Sequence, residues 1–438
     1  MESPWAGQRS AEQSSWQWDE ADGAVGAPPD VISGGPEGSR PSRRALLVGA
    51  AGVLAGGAAL WAAFGRSDGA PPPRPLPLPT ALEGPAPLWT YRGPQAMAPE
   101  WSANRSDRPV FLSRAGLRVL DPASGAPARL IPFDLPSSGA RPGGPDLVGS
   151  MVFGPDRLFS AVRGRIDSRL LSDPGGDWSM PLPDVLGNGS VRLAGCDGGT
   201  LYGTVLDFGS AKAVSPDTVV FAIRLSDRSL LWSVPVGAGE YPFAPVTADY
   251  GGLPCGRRVA DHAEVVVRDA ADGRELWTTP VDTDLRWCAT GPERVYVPNG
   301  TGAVRALGPT GRSLWTSVPA EGEQWRALPP VADGDRVYVP FDNGLVIAYE
   351  AATGRQVWSF RLPFLLDSRS IPLLTEDVLY VPGPAAGGVC AIDAATGRLL
   401  WTFRDSGPGK DVWSLAADDT RLFAGHDDVL HALPPAGG

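Results

Sequence analysis

Across the C-terminal half of the chain, apolar residues alternate with polar ones in short runs, and Gly, Pro, Asp or Asn interrupts each run. A period of two with that punctuation predicts short, half-buried β-strands joined by tight turns. The most regular stretch is Ala391–Trp401, AIDAATGRLLW. Val389–Ile392 forms an apolar β-prone run, Asp393–Arg398 carries turn chemistry, and Leu399–Trp401 begins a return strand. Asp393 is placed to accept backbone N–H bonds in an Asx-type turn, and Gly397 to supply the positive φ that closes it. A single hairpin of this kind is marginal in water, so the pattern predicts neighbours that cover its apolar face.

The neighbours are copies. AYEAATGRQVW ends at Trp358, RALGPTGRSLW at Trp315, VRDAADGRELW at Trp277 and AIRLSDRSLLW at Trp232, giving spacings of 43, 43, 38 and 45 residues back from Trp401. Asp177-Trp178 is a degenerate member and Leu88-Trp89 the earliest. A second register runs through Tyr296, Tyr338 and Tyr380 at a spacing of 42, extends to Phe423, Tyr202, Phe159 and Phe111, and has Val259 as its weak member. Both registers count eight units. A fixed period in this range marks a propeller, solenoid or array, because each unit leaves an apolar face that only its neighbours can cover.

In the unit ending at Trp358, four strands are expected: near Trp325–Pro330, then Arg336–Pro340, Leu345–Tyr349 and Gln356–Arg361. Four strands per unit is a propeller blade. After Val429–Leu433 the chain has no room for a fourth strand, whereas Leu88–Tyr91 is a fourth strand with no predecessors. The two fragments complete one blade, which closes the ring and removes the exposed edges of an open stack. The expected fold is therefore all-β, an eight-bladed β-propeller. A seven-bladed ring, with residues 90–177 as one enlarged blade, is the competing count, and Phe111 and Phe159 argue against it.

The unit A-x-D-x-x-T-G-R/K-x-x-W, carried throughout by Ala391–Trp401, resembles the blade signature of the PQQ-binding-like (quinoprotein) β-propeller repeats. The resemblance covers residues 82–438. It is strong from about residue 220 and weaker before, where VLDPASGAPARL lacks its Trp. It implies eight blades, and it implies that Trp89, Trp232, Trp277, Trp315, Trp358 and Trp401 dock each outer strand against the next blade. The family's dehydrogenases hold pyrroloquinoline quinone beside Ca²⁺, with a disulfide between adjacent cysteines and a catalytic Asp. Here no two of the four cysteines are adjacent, there is no C-x-x-C-H haem site, and no Ca²⁺ ligands can be assigned. The chain reads as a non-enzymatic bacterial branch with no cofactor. A dehydrogenase and an assembly factor similar to the propeller lipoprotein of the β-barrel assembly machinery are the alternatives.

The first 81 residues differ in kind. Residues 1–39 carry seven acidic residues to one Arg among Gly, Ser and Pro, and are expected to be a disordered acidic tail. Residues 40–66 pair Ser42, Arg43 and Arg44 with the 20 uncharged residues 45–64, which resembles a twin-arginine export signal or a membrane anchor. Residues 67–81 form a Pro-rich linker, and residues 82–438 the propeller. Both readings of the signal put the propeller outside the cytoplasm, either held at the cell membrane through residues 45–64 or secreted. A net charge of −11 argues against nucleic acid as a partner. Export permits disulfides, and Cys255 with Cys288, on adjacent units, is the expected pair.

No catalytic constellation stands out. His262, His426 and His431 have no metal-ligand spacing, and no G-x-S-x-G elbow occurs. A binding role fits better. The first strands of successive blades begin near one mouth of the channel, and there lie Trp101, Arg286, Trp287, Trp325, Arg326, Arg369 and Trp413. Trp and Arg dominate binding hot spots. These residues are the candidate rim for a protein, peptide or small-ligand partner, with packing between blades as the alternative role of the Trp side chains.

Overall fold

A computed structural model describes residues 83–436, apart from 94–107, 114–115, 133–150, 163, 188, 198, 208–216, 237–238, 244–251, 260–261, 282–284, 286, 320–324 and 408. The expectations for residues 1–81, and those for Trp101 and Arg286, lie outside the described residues. Among the described residues, no helix is long and apolar enough to cross a membrane.

Eight antiparallel sheets follow one another along the chain. Seven have four strands, and the first shows three among the described residues, Val110–Ser113, Gly116–Leu120 and Pro127–Ile131. Phe111 and Phe159 fall in different sheets, which decides for eight blades over seven. We number the blades 1 to 8 from Val110. Blade 8 takes its outer strand from the other end of the chain: Trp89–Arg92 pairs with Val429–Leu433 in the register Trp89 to Ala432 and Arg92 to Val429. Ring closure by complementary ends is thus as the sequence predicts.

The core is a series of layers between blades. Alternate residues on one strand face opposite neighbours, as strand geometry requires. In blade 6, Val337 and Val339 pack toward blade 5, while Tyr338 packs with Leu379, Val381 and Ile392 of blade 7. Across six blades a common row joins second, third and fourth strands: an aromatic, a small residue, then Trp. Tyr338, Ala348 and Trp358 form it in blade 6, Tyr380, Ala391 and Trp401 in blade 7, and Phe423, Ala432 and Trp89 in blade 8. The small central side chain lets the outer two rings meet above it, with centroids 5.8 Å apart for Tyr338 and Trp358 and 5.9 Å for Phe423 and Trp89. In blade 4 the row runs Pro254, Val267, Trp277, so the weak member is Pro254 and not Val259.

Each Trp then docks on the next blade. The indole N–H groups of Trp89, Trp232, Trp315 and Trp358 donate to the carbonyls of Pro122, Ala270, Ala351 and Ala394 at 2.9 to 3.0 Å. The ring faces lie against the turn glycines Gly125, Gly273, Gly311, Gly354 and Gly397, with Trp277 covering Gly311. At Gly397, φ is +72° and an added Cβ would stand 2.6 Å from the Trp358 ring, so two independent constraints demand glycine there. The same turn confirms the Asx reading: Asp393 Oδ1 accepts from the Thr396 amide at 2.8 Å.

Blade 1 has Arg129 in the Trp position. Its guanidinium donates to the Leu170 carbonyl and to Asp177 Oδ2 of blade 2, so the lost indole N–H is replaced by a charged fork. In blade 3 the glycine position holds Arg228 at φ 61°, and its guanidinium lies over the Trp178 ring at 5.1 Å. Both substitutions keep a contact between blades where the signature is lost.

Two expectations are corrected. The first strand of blade 6 is Val331–Ala332, preceded by an isolated bridge from Ala327 to Phe341, because Pro329 and Pro330 have no N–H to continue the ladder. Cys255 and Cys288 are free thiols, not a disulfide. Burial pushes both thiols up, which keeps them protonated and unreactive.

Candidate functional site

One face of the ring is built where each incoming first strand meets the turn between the second and third strands of its blade. In blade 6 the two segments interlock: the Asp342 amide donates to the Arg326 carbonyl at 3.1 Å, the Arg326 amide to Asp342 Oδ1 at 3.3 Å, and the Leu366 amide to the Asp342 carbonyl at 3.0 Å. Arg361 lies over the Trp325 ring at 5.4 Å. In blades 7 and 8 the Trp413 amide donates to the Gly383 carbonyl and the Ala385 amide to the Asp411 carbonyl. Backbone pairing of this density makes the face rigid, as a preorganised binding surface requires.

The candidate rim residues divide by exposure. Trp413 is 1% exposed, and its indole N–H donates to the Ala385 carbonyl at 3.1 Å. Trp325 is 9% exposed and packs with Phe341 and Ala327. Both serve packing and offer a partner little surface. Trp287 is half-buried just before the first strand of blade 5, Ala289–Gly291. Arg326 is half-buried and Arg369 exposed. Arg369 donates to Asp367 at 3.0 Å and reaches Asp411 at 3.7 Å, which links blade 7 to the loop that precedes Trp413. Burial, with the neighbouring Asp427 charge, raises the Asp411 carboxyl, and Arg369 opposes that shift.

Behind Trp413 lies a cluster that sequence reasoning missed. Asp405 Oδ2 is 3.0 Å from His426 Nε2 and 3.3 Å from His431 Nε2, and both histidines are buried. His426 Nδ1 is 2.9 Å from Asp427 Oδ2, and His431 Nδ1 is 2.9 Å from the Thr90 hydroxyl. The Trp413 ring packs against His426, tilted to it, with centroids 4.2 Å apart. Burial works to raise the Asp405 carboxyl, but hydrogen bonds from His426 and His431 outweigh it and hold it below the usual carboxylate range. Burial lowers His431, the Asp405 hydrogen bond pulls it back up, and the charges of His426 and Arg92 add to the lowering. The signal in sequence was two histidines in blade 8. The partners of His431 are 26 and 341 residues away, so no local motif contains its contacts.

Among the described residues, the adjacent cysteine pair and metal ligands of a quinone centre are not brought together. Cys196, Cys255, Cys288 and Cys390 are free thiols in different blades or loops, and among the described residues no three His, Cys, Asp or Glu side chains converge on a metal position.

The family model for outer membrane protein assembly factor BamB matches residues 300–438, the last blades of the ring. These are PQQ-like β-propeller repeats. A curated relative, the outer membrane protein assembly factor BamB of Burkholderia pseudomallei (strain K96243), is 31% identical over 150 residues, 34% of this chain. The aligned part spans about a third of that relative's length, 36%. Among solved structures, Sqt1 of Saccharomyces cerevisiae superposes with a TM-score of 0.56 at 12% identity, over 82% of this chain and 100% of its own. A quinohemoprotein alcohol dehydrogenase from Pseudomonas putida HK5 reaches 0.53 at 10% identity, over 81% of this chain and 76% of its own. At such identities the likeness is one of fold alone, and a fold does not decide a function.

Proposed function

We propose that this PQQ-like propeller is a non-enzymatic scaffold of the cell envelope, and that it captures a protein partner on the face built around Arg326 and Arg369. The observation that carries the reading is the match of residues 300–438 to an assembly-factor family, since that region contains both arginines. The face also has the right chemistry. Its backbone is tied down by interlocked loops, Arg326 stands on it half-buried, and the Arg369 guanidinium lies beside Asp367 and Asp411. Arginine forks of this kind pair with carboxylates or backbone carbonyls of a partner.

Replacement of Arg326 and Arg369 together by Ala tests the proposal. Partner capture should weaken by tenfold or more, equivalent to roughly 1.4 kcal/mol or above, while the melting temperature stays within about 2 °C. A sharp fall in melting temperature with capture intact would assign both side chains to packing. The dehydrogenase alternative predicts alcohol-dependent dye reduction by protein reconstituted with pyrroloquinoline quinone and Ca²⁺, and the scaffold reading predicts none. An envelope location rests on Ser42, Arg43 and Arg44 ahead of residues 45–64. Replacement of both arginines by Lys should strand the propeller in the cytoplasm if the twin-arginine route carries it, because that receptor reads the arginine pair and not only its charge.

A further inference from the structure

The ring closes along one seam, where Trp89–Arg92 pairs with Val429–Leu433. Every other blade is built from continuous chain, so this is the place where the ring can open without breaking a blade made from contiguous sequence. The seam is also where a titratable side chain bridges the two ends of the chain: His431, on the closing strand, meets the Thr90 hydroxyl of the N-terminal strand at 2.9 Å.

The hydrogen-bond arithmetic around that contact is tight. A neutral imidazole has one donor and one acceptor, an imidazolium two donors. His426 has a carboxylate oxygen near each ring nitrogen, Asp405 at 3.0 Å and Asp427 at 2.9 Å. His431 differs. With its proton on Nε2 it donates to Asp405 at 3.3 Å and leaves Nδ1 to accept from Thr90. A second proton on His431 would turn the Thr90 contact around, because Nδ1 could then only donate. It would also bury that charge between Phe403 and Trp413, whose ring centroids lie 5.2 and 5.9 Å from the His431 ring.

We propose that His431, Asp405 and Thr90 form an acid-released latch on ring closure: protonation of His431 frees the N-terminal strand from blade 8 and opens the ring at its seam. The groups that set the latch come from every element around it. Asp405 follows the outer strand of blade 7, His426 and Asp427 come from the turn inside blade 8, Asp411 and Lys410 from the loop before Trp413, and Arg92 from the N-terminal strand itself. Lys410 and Asp411 contribute backbone N–H groups to Asp427, which holds that carboxylate in place. Opening would bare the edge of Val429–Leu433 and the layer containing Phe423 and Phe111, an edge able to accept another strand.

The sign follows from burial. His431 is lowered in the fold relative to its ordinary value of 6.5, so the unfolded or released strand takes up the proton first. The seam is at full strength above about pH 6.5 and weakens as pH falls from there through the lowered folded value. For one histidine, the opening equilibrium rises between pH 7.5 and pH 5 by at most roughly 30-fold.

The test is amide hydrogen exchange on the full chain, corrected for intrinsic rates, at pH 7.5 and pH 5. Protection of Trp89, Tyr91, Leu430 and Ala432 should fall at pH 5, while the amides of Val337 to Val339 in blade 6 hold. In His431→Gln, which can keep both contacts but cannot titrate, the seam should lose its pH response. Loss shared equally by blade 6, or a response that persists in His431→Gln, would overturn the latch. If His431→Gln fails to fold, ring-proton titration of His431 in the unaltered protein decides: a midpoint below 6.5 that tracks seam opening supports the proposal, and one at or above 6.5 refutes it.

Discussion

Replacement of Gly397 by Ala isolates the contact that repeats around the ring. Two costs arise at this position. An alanine at φ +72° carries the left-handed penalty of about 1–2 kcal/mol, and its Cβ would stand 2.6 to 2.8 Å from three atoms of the Trp358 ring. The ring cannot retreat freely, because its N–H is held by the Ala394 carbonyl at 3.0 Å and its far face by Tyr338. Overpacking of this kind costs about 1–3 kcal/mol more, so the total is about 2–5 kcal/mol. Gly199 supplies the control. Its φ is +86°, yet nothing lies within 4 Å of an added Cβ, so Gly199→Ala should show only the backbone part. Urea unfolding and melting of the two variants, together with Gly397→Ala in a Trp358→Leu background, measure the difference. The clash should vanish when the indole is gone, leaving the Gly397→Ala cost near that of Gly199→Ala. Equal destabilisation by the two glycine variants in the parent protein would refute blade docking by Trp on glycine.

Two further outcomes are expected. Arg129→Ala should destabilise the blade 1–2 junction by about 1–3 kcal/mol, and Arg129→Lys should restore less than half of it, since one ammonium cannot serve Leu170 and Asp177 as a planar fork does; hydrogen exchange in Arg165–Leu170 reads the effect. Trp89→Ala should destabilise with the loss centred on Val429–Leu433, by less than the roughly 3–5 kcal/mol of a fully buried Trp because Trp89 is half-buried, whereas removal of residues 1–39 should leave the melting temperature unchanged.

Much of the fold was legible because the repeat writes the same physics many times. Trp358 and Gly397 recur in most blades at similar spacing and report a docked ring and a positive φ, and the capped turn of Asp393 recurs at Asp269 and Asp121. The Leu or Val before each Trp was legible as β but not as irregular. Leu276, Leu314 and Val357 are the extra residues of bulges in the outer strands, which is why they are exposed beside buried Trp. The candidate rim was harder. Trp325 and Trp413 share a place at blade starts with Arg326 and Arg369, but burial differs between neighbouring positions there, with the Trp325 ring packed and Arg326 half-buried. The histidine cluster was invisible for a different reason. Thr90 and His431 meet only because the ring closes, and closure is a property of the whole chain.

The central claim is that the face bearing Arg326 and Arg369 meets a partner in the envelope. Photo-crosslinking in living cells tests it most directly, with the reactive side chain placed in turn at position 326, at 369 and at the exposed outer-edge residue Leu314. The account predicts one shared adduct from 326 and 369 and none from 314. An adduct from 314 alone, with both face positions silent in an exported and folded protein, would contradict it.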